Sequence, residues 1–302
     1  MDVSNMLQCP LCDTAKGSAM RITVNGTSLY FDVEGAGLVP DGPTMRAKPT
    51  LILLHGGPGF DHSMFKPEFS VLAEVAQVIY LDQRGNGRSV EADRRTWTLA
   101  QWGDDVKGFC DALGIERPIV YGLSFGGFVA QSYAARHPDH PGKLILTSTA
   151  ARRDLAQVLA AFERIGGPPA RDVAERFWAN PTPETRATYL RICHPLYRAK
   201  PADGTATNAR RIVNNDVVMH FNGPGGDHHT MDFRPALAKV RCPTLVMAGD
   251  RDPITPITFS EEIVASLPAH LVRFERFAHC GHGVHWDDPE RAFAVIRDFI
   301  RQ

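Results

Sequence analysis

Residues 119–136 read Ile-Val-Tyr-Gly-Leu-Ser-Phe-Gly-Gly-Phe-Val-Ala-Gln-Ser-Tyr-Ala-Ala-Arg. The apolar run 119–122 predicts a strand, and residues 124–136 predict a helix that starts at once after it. Ser124 stands at the corner, with Gly122 and Gly126 two positions to either side. A strand that turns this sharply into a helix holds its corner residue in a sparsely populated backbone conformation and exposes that side chain. The flanking positions approach so closely that a Cβ would not fit, hence glycine at both. The helix N-terminus also aims N–H groups at any negative charge formed beside the serine. Ser124 is therefore expected to be a nucleophile.

Working outward, the buried-strand signature recurs at residues 50–55 (TLILLH), 78–82 (VIYLD), 144–147 (LILT), 244–249 (TLVMAG) and 271–274. Runs that are apolar throughout, without alternation, fit strands covered on both faces. Helical patterns lie between them. In residues 98–113 the apolar positions Leu99, Trp102, Val106, Phe109, Cys110 and Leu113 recur at three- and four-residue spacing. Residues 289–300 form another, with Asp288 as N-cap and Pro289 at the first helical position. Residues 21–24 and 28–33 predict a hairpin around Asn25-Gly26. Strands alternating with helices predict an α/β fold with a mostly parallel central sheet flanked by helices.

Residues 149–233 break the alternation. Segments 155–165, 171–178 and 184–192 predict helices, separated by Gly166-Gly167-Pro168-Pro169 and Asn180-Pro181, and residues 221–229 (FNGPGGDHH) predict a flexible loop over the active site. The expected organisation is an N-terminal extension at 1–20, a core domain at 21–148 and 234–302, and a helical cap, or lid, at 149–233.

A serine hydroxyl needs a base, and in this architecture the chain order is serine, acid, histidine. After the strand 244–249 come Asp250 and Asp252; after the strand near residue 272 come His279, His282 and His285. The order is satisfied, with either acid and any of the three histidines open. His55-Gly56-Gly57-Pro58-Gly59, directly after another strand, is the second part of an oxyanion site: Gly57 and Phe125 are the expected backbone N–H donors. In Asp82-Gln83-Arg84-Gly85-Asn86-Gly87-Arg88-Ser89 the glycine spacing fits no phosphate loop, so Asp82 and Arg84 are expected to brace the site. Trp102 is expected in the core, while Trp178 and Trp286 are expected to line a substrate pocket.

Together HGGPG, DQRGNGRS, GLSFGGF, GDRDPITP and the late Gly-His before an acidic-Pro helix start resemble the α/β-hydrolase superfamily, and within it the proline iminopeptidase branch. The resemblance covers roughly residues 29–148 and 237–300. It implies the α/β-hydrolase fold and narrows the choice: the acid is the fourth residue of G-x-x-D, here Asp252, and the histidine follows a glycine, here His282. It implies a Ser124–His282–Asp252 serine hydrolase acting through an acyl-enzyme on a small amide or short peptide, with a carboxylic-ester or lactone hydrolase as the alternative. Iminopeptidases hold a free amine with carboxylates; Glu163, Glu175, Glu184 and Asp216 are those available in the insertion.

Thirty-three Lys and Arg against 34 Asp and Glu give a net charge of −1, which leaves no excess to drive nucleic-acid or anionic-membrane binding. No apolar run approaches membrane-spanning length. Six cysteines are too few for a disulfide scaffold, and Cys9 and Cys12 form a lone pair where zinc needs four ligands. His220, Asp227, His228 and His229 lack helical metal-ligand spacing. No metal and no cofactor is expected. The first residues lack a basic start followed by an apolar run, so a cytoplasmic setting is expected.

Overall fold

Each continuous apolar run becomes a strand because helices cover both of its faces. The computed structural model describes residues 20–89, 92–200 and 209–302; the expected extension at 1–20, except Met20, and the Cys9–Cys12 pair lie outside them. Strands β1 (Arg21–Val24) and β2 (Thr27–Glu34) form the expected hairpin. An exposed second hairpin follows, β3 (Leu38–Asp41) and β4 (Thr44–Ala47). Then come β5 (Thr50–Leu54), β6 (Gln77–Leu81), β7 (Ile119–Leu123), β8 (Lys143–Thr147), β9 (Thr244–Gly249) and β10 (Val272–Phe277).

The main sheet has eight strands in the order β1-β2-β6-β5-β7-β8-β9-β10. β2 pairs antiparallel with β1 and β6, and every later pairing is parallel. This is the α/β-hydrolase arrangement, with β7 at its centre. One apolar layer packs the helices Leu99–Leu113 and Phe125–Arg136 on the sheet and continues into residues 155–221; the other packs Pro289–Arg301 and the turn around Phe65 and Phe69 on the opposite face. The predicted cap at Asp288 is present, accepting from the Arg291 N–H, and Thr98 caps its own helix by accepting from the Gln101 N–H.

Between β8 and β9 the described residues are mostly helical. The expected break at Gly166–Pro169 is present: Gly167, at φ 74° and ψ 179°, leaves helical geometry and divides the stretch Leu155–Ala179 into two helices. Helix Pro183–Ile192 follows, with a capping box between Thr182 and Thr185. The expected flexible loop at 221–229 is instead built and pinned. Phe221 and Asn222 close the helix Asn215–Asn222, residues Asp227–His229 form a tight turn, and Asp227 accepts from the Leu99 N–H at 2.5 Å.

Candidate active site

Ser124 follows the last residue of β7 and is the N-cap of the helix Phe125–Arg136. Its φ of 54° is a positive value on a non-glycine residue, as the sharp corner requires. A Cβ on Gly126 would stand 2.0 Å from the Leu54 carbonyl oxygen, so the turn closes only with glycine there. The side chain is left half-buried at the edge of a cavity of about 490 Å³, and its hydroxyl makes no hydrogen bond among the described residues.

Asp252 lies in the loop after β9 and is buried. Its Oδ1 accepts from the N–H groups of Ile254 and Thr255 at 2.9 and 2.8 Å. Its Oδ2 accepts from the Thr255 hydroxyl at 2.7 Å and meets His282 Nδ1 at 2.8 Å. A carboxylate with four donors is held in one orientation, and it fixes the imidazole proton on Nδ1. The Nε2 atom is then the free basic position. His282 and Ser124 line the same cavity.

The other candidates are placed elsewhere. Asp250 accepts from the His279 N–H and shapes the loop, and His279 is exposed. His285 is buried in the second apolar layer against Phe69, with neither ring nitrogen bonded, and burial pushes its imidazole down to about 3.

The loop 55–59 rests on the segment 82–89. His55 is buried; its Nδ1 meets the Gly56 carbonyl at 2.8 Å, and its own carbonyl accepts from the Gln83 side chain at 3.0 Å. Asn86 accepts from the Gly59 N–H at 2.7 Å. Gly57 has φ +130°, so the loop depends on glycine there too. Asp82 receives the His62 N–H and the Arg88 N–H, and Arg84 forks onto Asp105 at 2.6 and 2.7 Å. Both therefore brace the loops. Phe125 lies in the first turn of its helix, where an N–H has no intrahelical acceptor.

Trp178 and Trp286 both line the cavity, and Trp102 is buried with its indole N–H on the Arg84 carbonyl. None of Glu163, Glu175, Glu184 and Asp216 reaches the cavity wall. Glu163 and Glu175 face Arg171, and Asp216 pairs with Arg94. Sequence reasoning missed Thr255, Tyr197 and the five arginines on the cavity wall, Arg152, Arg153, Arg186, Arg198 and Arg211. Thr255 sits inside the quoted GDRDPITP motif; the Tyr197 carbonyl accepts from the His282 N–H at 2.6 Å, and its ring packs edge-on against the imidazole at 5.1 Å. Among the described residues no three His, Cys, Asp or Glu side chains gather as a metal site, and no helix is long and apolar enough to cross a membrane.

Residues 49–289 match the family described as alpha/beta hydrolase fold. RutD of Caulobacter sp. (strain K31), named as a carbamate hydrolase, is 29% identical over 287 residues, covering 92% of this chain and 97% of that protein. The structure of a proline iminopeptidase from Mycobacterium smegmatis matches with a TM-score of 0.73 at 25% identity, covering 94% of this chain and 98% of that one. The esterase RhEst1 from Rhodococcus sp. ECU1013 shares the fold, with a TM-score of 0.74 at 22% identity over 93% of this chain and 98% of that one. The names of these proteins differ in what is cleaved. The family match spans most of the chain, and the parallel sheet with its strand–serine–helix corner accords with it: the chain belongs to the α/β-hydrolase family and is a hydrolase of that fold.

Proposed function

We propose that this protein is a serine hydrolase of small carboxylic esters or lactones, with Ser124 as nucleophile, His282 as base and Asp252 as its orienting acid. One observation carries the reading: a buried carboxylate grips His282 Nδ1 at 2.8 Å on the wall of the cavity that Ser124 also lines, with the serine backbone at a positive φ. His282 Nε2 takes the Ser124 proton as Oγ attacks the substrate carbonyl. The oxyanion is received by the N–H groups of Gly57 and Phe125. His282 then protonates the leaving alcohol, and an acyl-enzyme remains. Water, deprotonated by the same imidazole, releases the acid and restores the serine.

Residues 149–233 act as the cap in this reading, and Trp178 and Trp286 shape the pocket that the cap and core enclose. The ester or lactone preference over an amino-terminal peptide rests on the cavity wall. Its sole acidic residue among those described is Asp154, and that carboxylate already faces Arg152 at 3.2 Å. Among the described residues no carboxylate pair stands on the cavity wall to receive a substrate ammonium.

The test is covalent. A fluorophosphonate probe is expected to label Ser124 in the folded protein, and Ser124→Ala is expected to lower ester turnover by at least about 10³-fold. Full turnover by Ser124→Ala ends the proposal. Cleavage of a proline arylamide with no turnover of short acyl aryl esters overturns the substrate preference alone.

A further inference from the structure

The cap side of the cavity is cationic. Arg186 from the helix Pro183–Ile192, Arg198 just after the turn His194–Tyr197, and Arg211 all reach the cavity, and all three are half-buried. They surround His194: burial, then the charges of Arg211, His282, Arg198 and Arg186, holds its imidazole down to about 4, so it stays neutral at ordinary pH.

Among the described residues no carboxylate pairs with Arg186 or Arg211. Arg186 donates to the Asn215 side-chain oxygen. Arg211 lies over the Phe60 ring at 4.4 Å, and its Nε is buried without a hydrogen-bond partner. Asp61, which favours the Arg211 charge through space, is itself paired with Arg88 at 2.8 Å. Guanidiniums gathered in a half-buried pocket repel one another, and an orphaned buried N–H costs free energy until something accepts from it. A planar anion relieves both, because a carboxylate matches the guanidinium fork.

The place of Arg211 matters as well. Phe60, on which it stacks, directly follows the loop 55–59. Three residues beyond Arg211, the Asn214 N–H donates to the Gly59 carbonyl at 2.8 Å. The cluster thus stands over the loop that contacts the acyl carbonyl in the mechanism above.

We propose that Arg186 and Arg211 form a carboxylate-binding subsite, and that the substrate is a small ester or lactone whose acyl part carries a second carboxylate. This rests on the serine hydrolase reading of the same cavity. The experiment compares p-nitrophenyl hemiglutarate with p-nitrophenyl pentanoate, two esters with five-carbon acyl chains that differ in terminal charge, on the full chain.

The wild-type kcat/KM ratio is expected to favour the hemiglutarate about tenfold or more. Arg211→Gln and Arg186→Gln are each expected to bring the ratio toward one, chiefly through KM, while Arg211→Lys keeps part of it. Melting curves establish that the variants are folded. A wild-type ratio at or below one, or a ratio unchanged in the double Arg186→Gln/Arg211→Gln protein, overturns the subsite and leaves the hydrolase standing. If neither ester turns over and Ser124 resists the probe, the hydrolase reading fails. Calorimetric titration with glutarate then reads the cluster by itself: binding by wild type and loss in the double variant support it, and no binding by wild type overturns it.

Discussion

Thr255 shows how a single hydroxyl serves two partners. It donates to Asp252 Oδ2 and lies 3.2 Å from His282 Nδ1, so it guards the side of the carboxylate that the imidazole uses. Thr255→Val keeps the shape and the backbone N–H bond to Asp252 but removes this donor. Steady-state kinetics are expected to show kcat about tenfold lower, and chemical denaturation a loss of about 2 kcal/mol, the scale of one lost hydrogen bond to a buried charged group. His285 makes a different statement. Its ordinary value of 6.5 falls to about 3 in the fold because it is buried without a partner. Between those values the unfolded chain binds a proton that the native one does not, so stability falls as pH falls through that window, by up to about 1.4 kcal/mol per pH unit from this residue. His285→Phe, compared with wild type by denaturant titration at pH 7 and pH 5, is expected to lose less stability on acidification. The proposed nucleophile was legible in the residues because strand and turn restrict it, whereas the choice of Asp252 over Asp250 and of His282 over His279 and His285 needed a family resemblance. Thr255 and Arg211 were not legible: neither spacing nor periodicity shows which side chain of a loop turns inward.

At the scale of elements, the corner at Ser124 is held by contact between backbones. The Cβ of an alanine at 126 would meet the carbonyl oxygens of Leu54 at 2.0 Å and His55 at 2.8 Å, and both belong to the central sheet or its loop. Backbone cannot step aside as a flexible side chain can. Gly126→Ala is expected to destabilise the protein by about 3 kcal/mol, read by chemical denaturation, and to depress activity more than stability because the corner itself shifts. The strands around this corner were readable because they are apolar end to end. The hairpin β3–β4 was not, since it is mostly exposed and carries no alternation. The helix Ile257–Ser266 escaped for a related reason: only Phe259, Ser260 and Ile263 are buried, too few to write a period into its sequence. In the stretch Leu155–Ala179 the Gly-Pro signals were legible, since the helix breaks where Gly167 takes a non-helical conformation.

Across the whole molecule, buried polar links tie the sheet domain to the helical segment. Asp287 makes several of them. Its carboxylate accepts from the N–H of Gly281, beside the proposed base, at 2.7 Å and from the N–H of Ala199 and Lys200 at 3.0 and 3.3 Å. Asp287→Asn turns an acceptor into a partial donor facing three N–H groups. It is expected to lower kcat/KM by about tenfold and the unfolding free energy by about 2 kcal/mol, measured by kinetics and urea titration on the same preparation. The alternating pattern made the overall architecture legible, but the links from Asp287 to Ala199 and Lys200 join residues 88 and 87 positions apart, and nothing in a one-dimensional pattern encodes which polar group will meet which.

The bond from the His282 amide to the Tyr197 carbonyl, with its counterpart from Asn214 to Gly59, carries a practical lesson for engineering. A chimera that grafts another member's roof onto this scaffold to obtain a new specificity would sever two seams that hold the floor's own loops in shape. Donor segments chosen to preserve the backbone course at 197–200 and at 214 should yield working hybrids, whereas those matched on pocket lining alone should not.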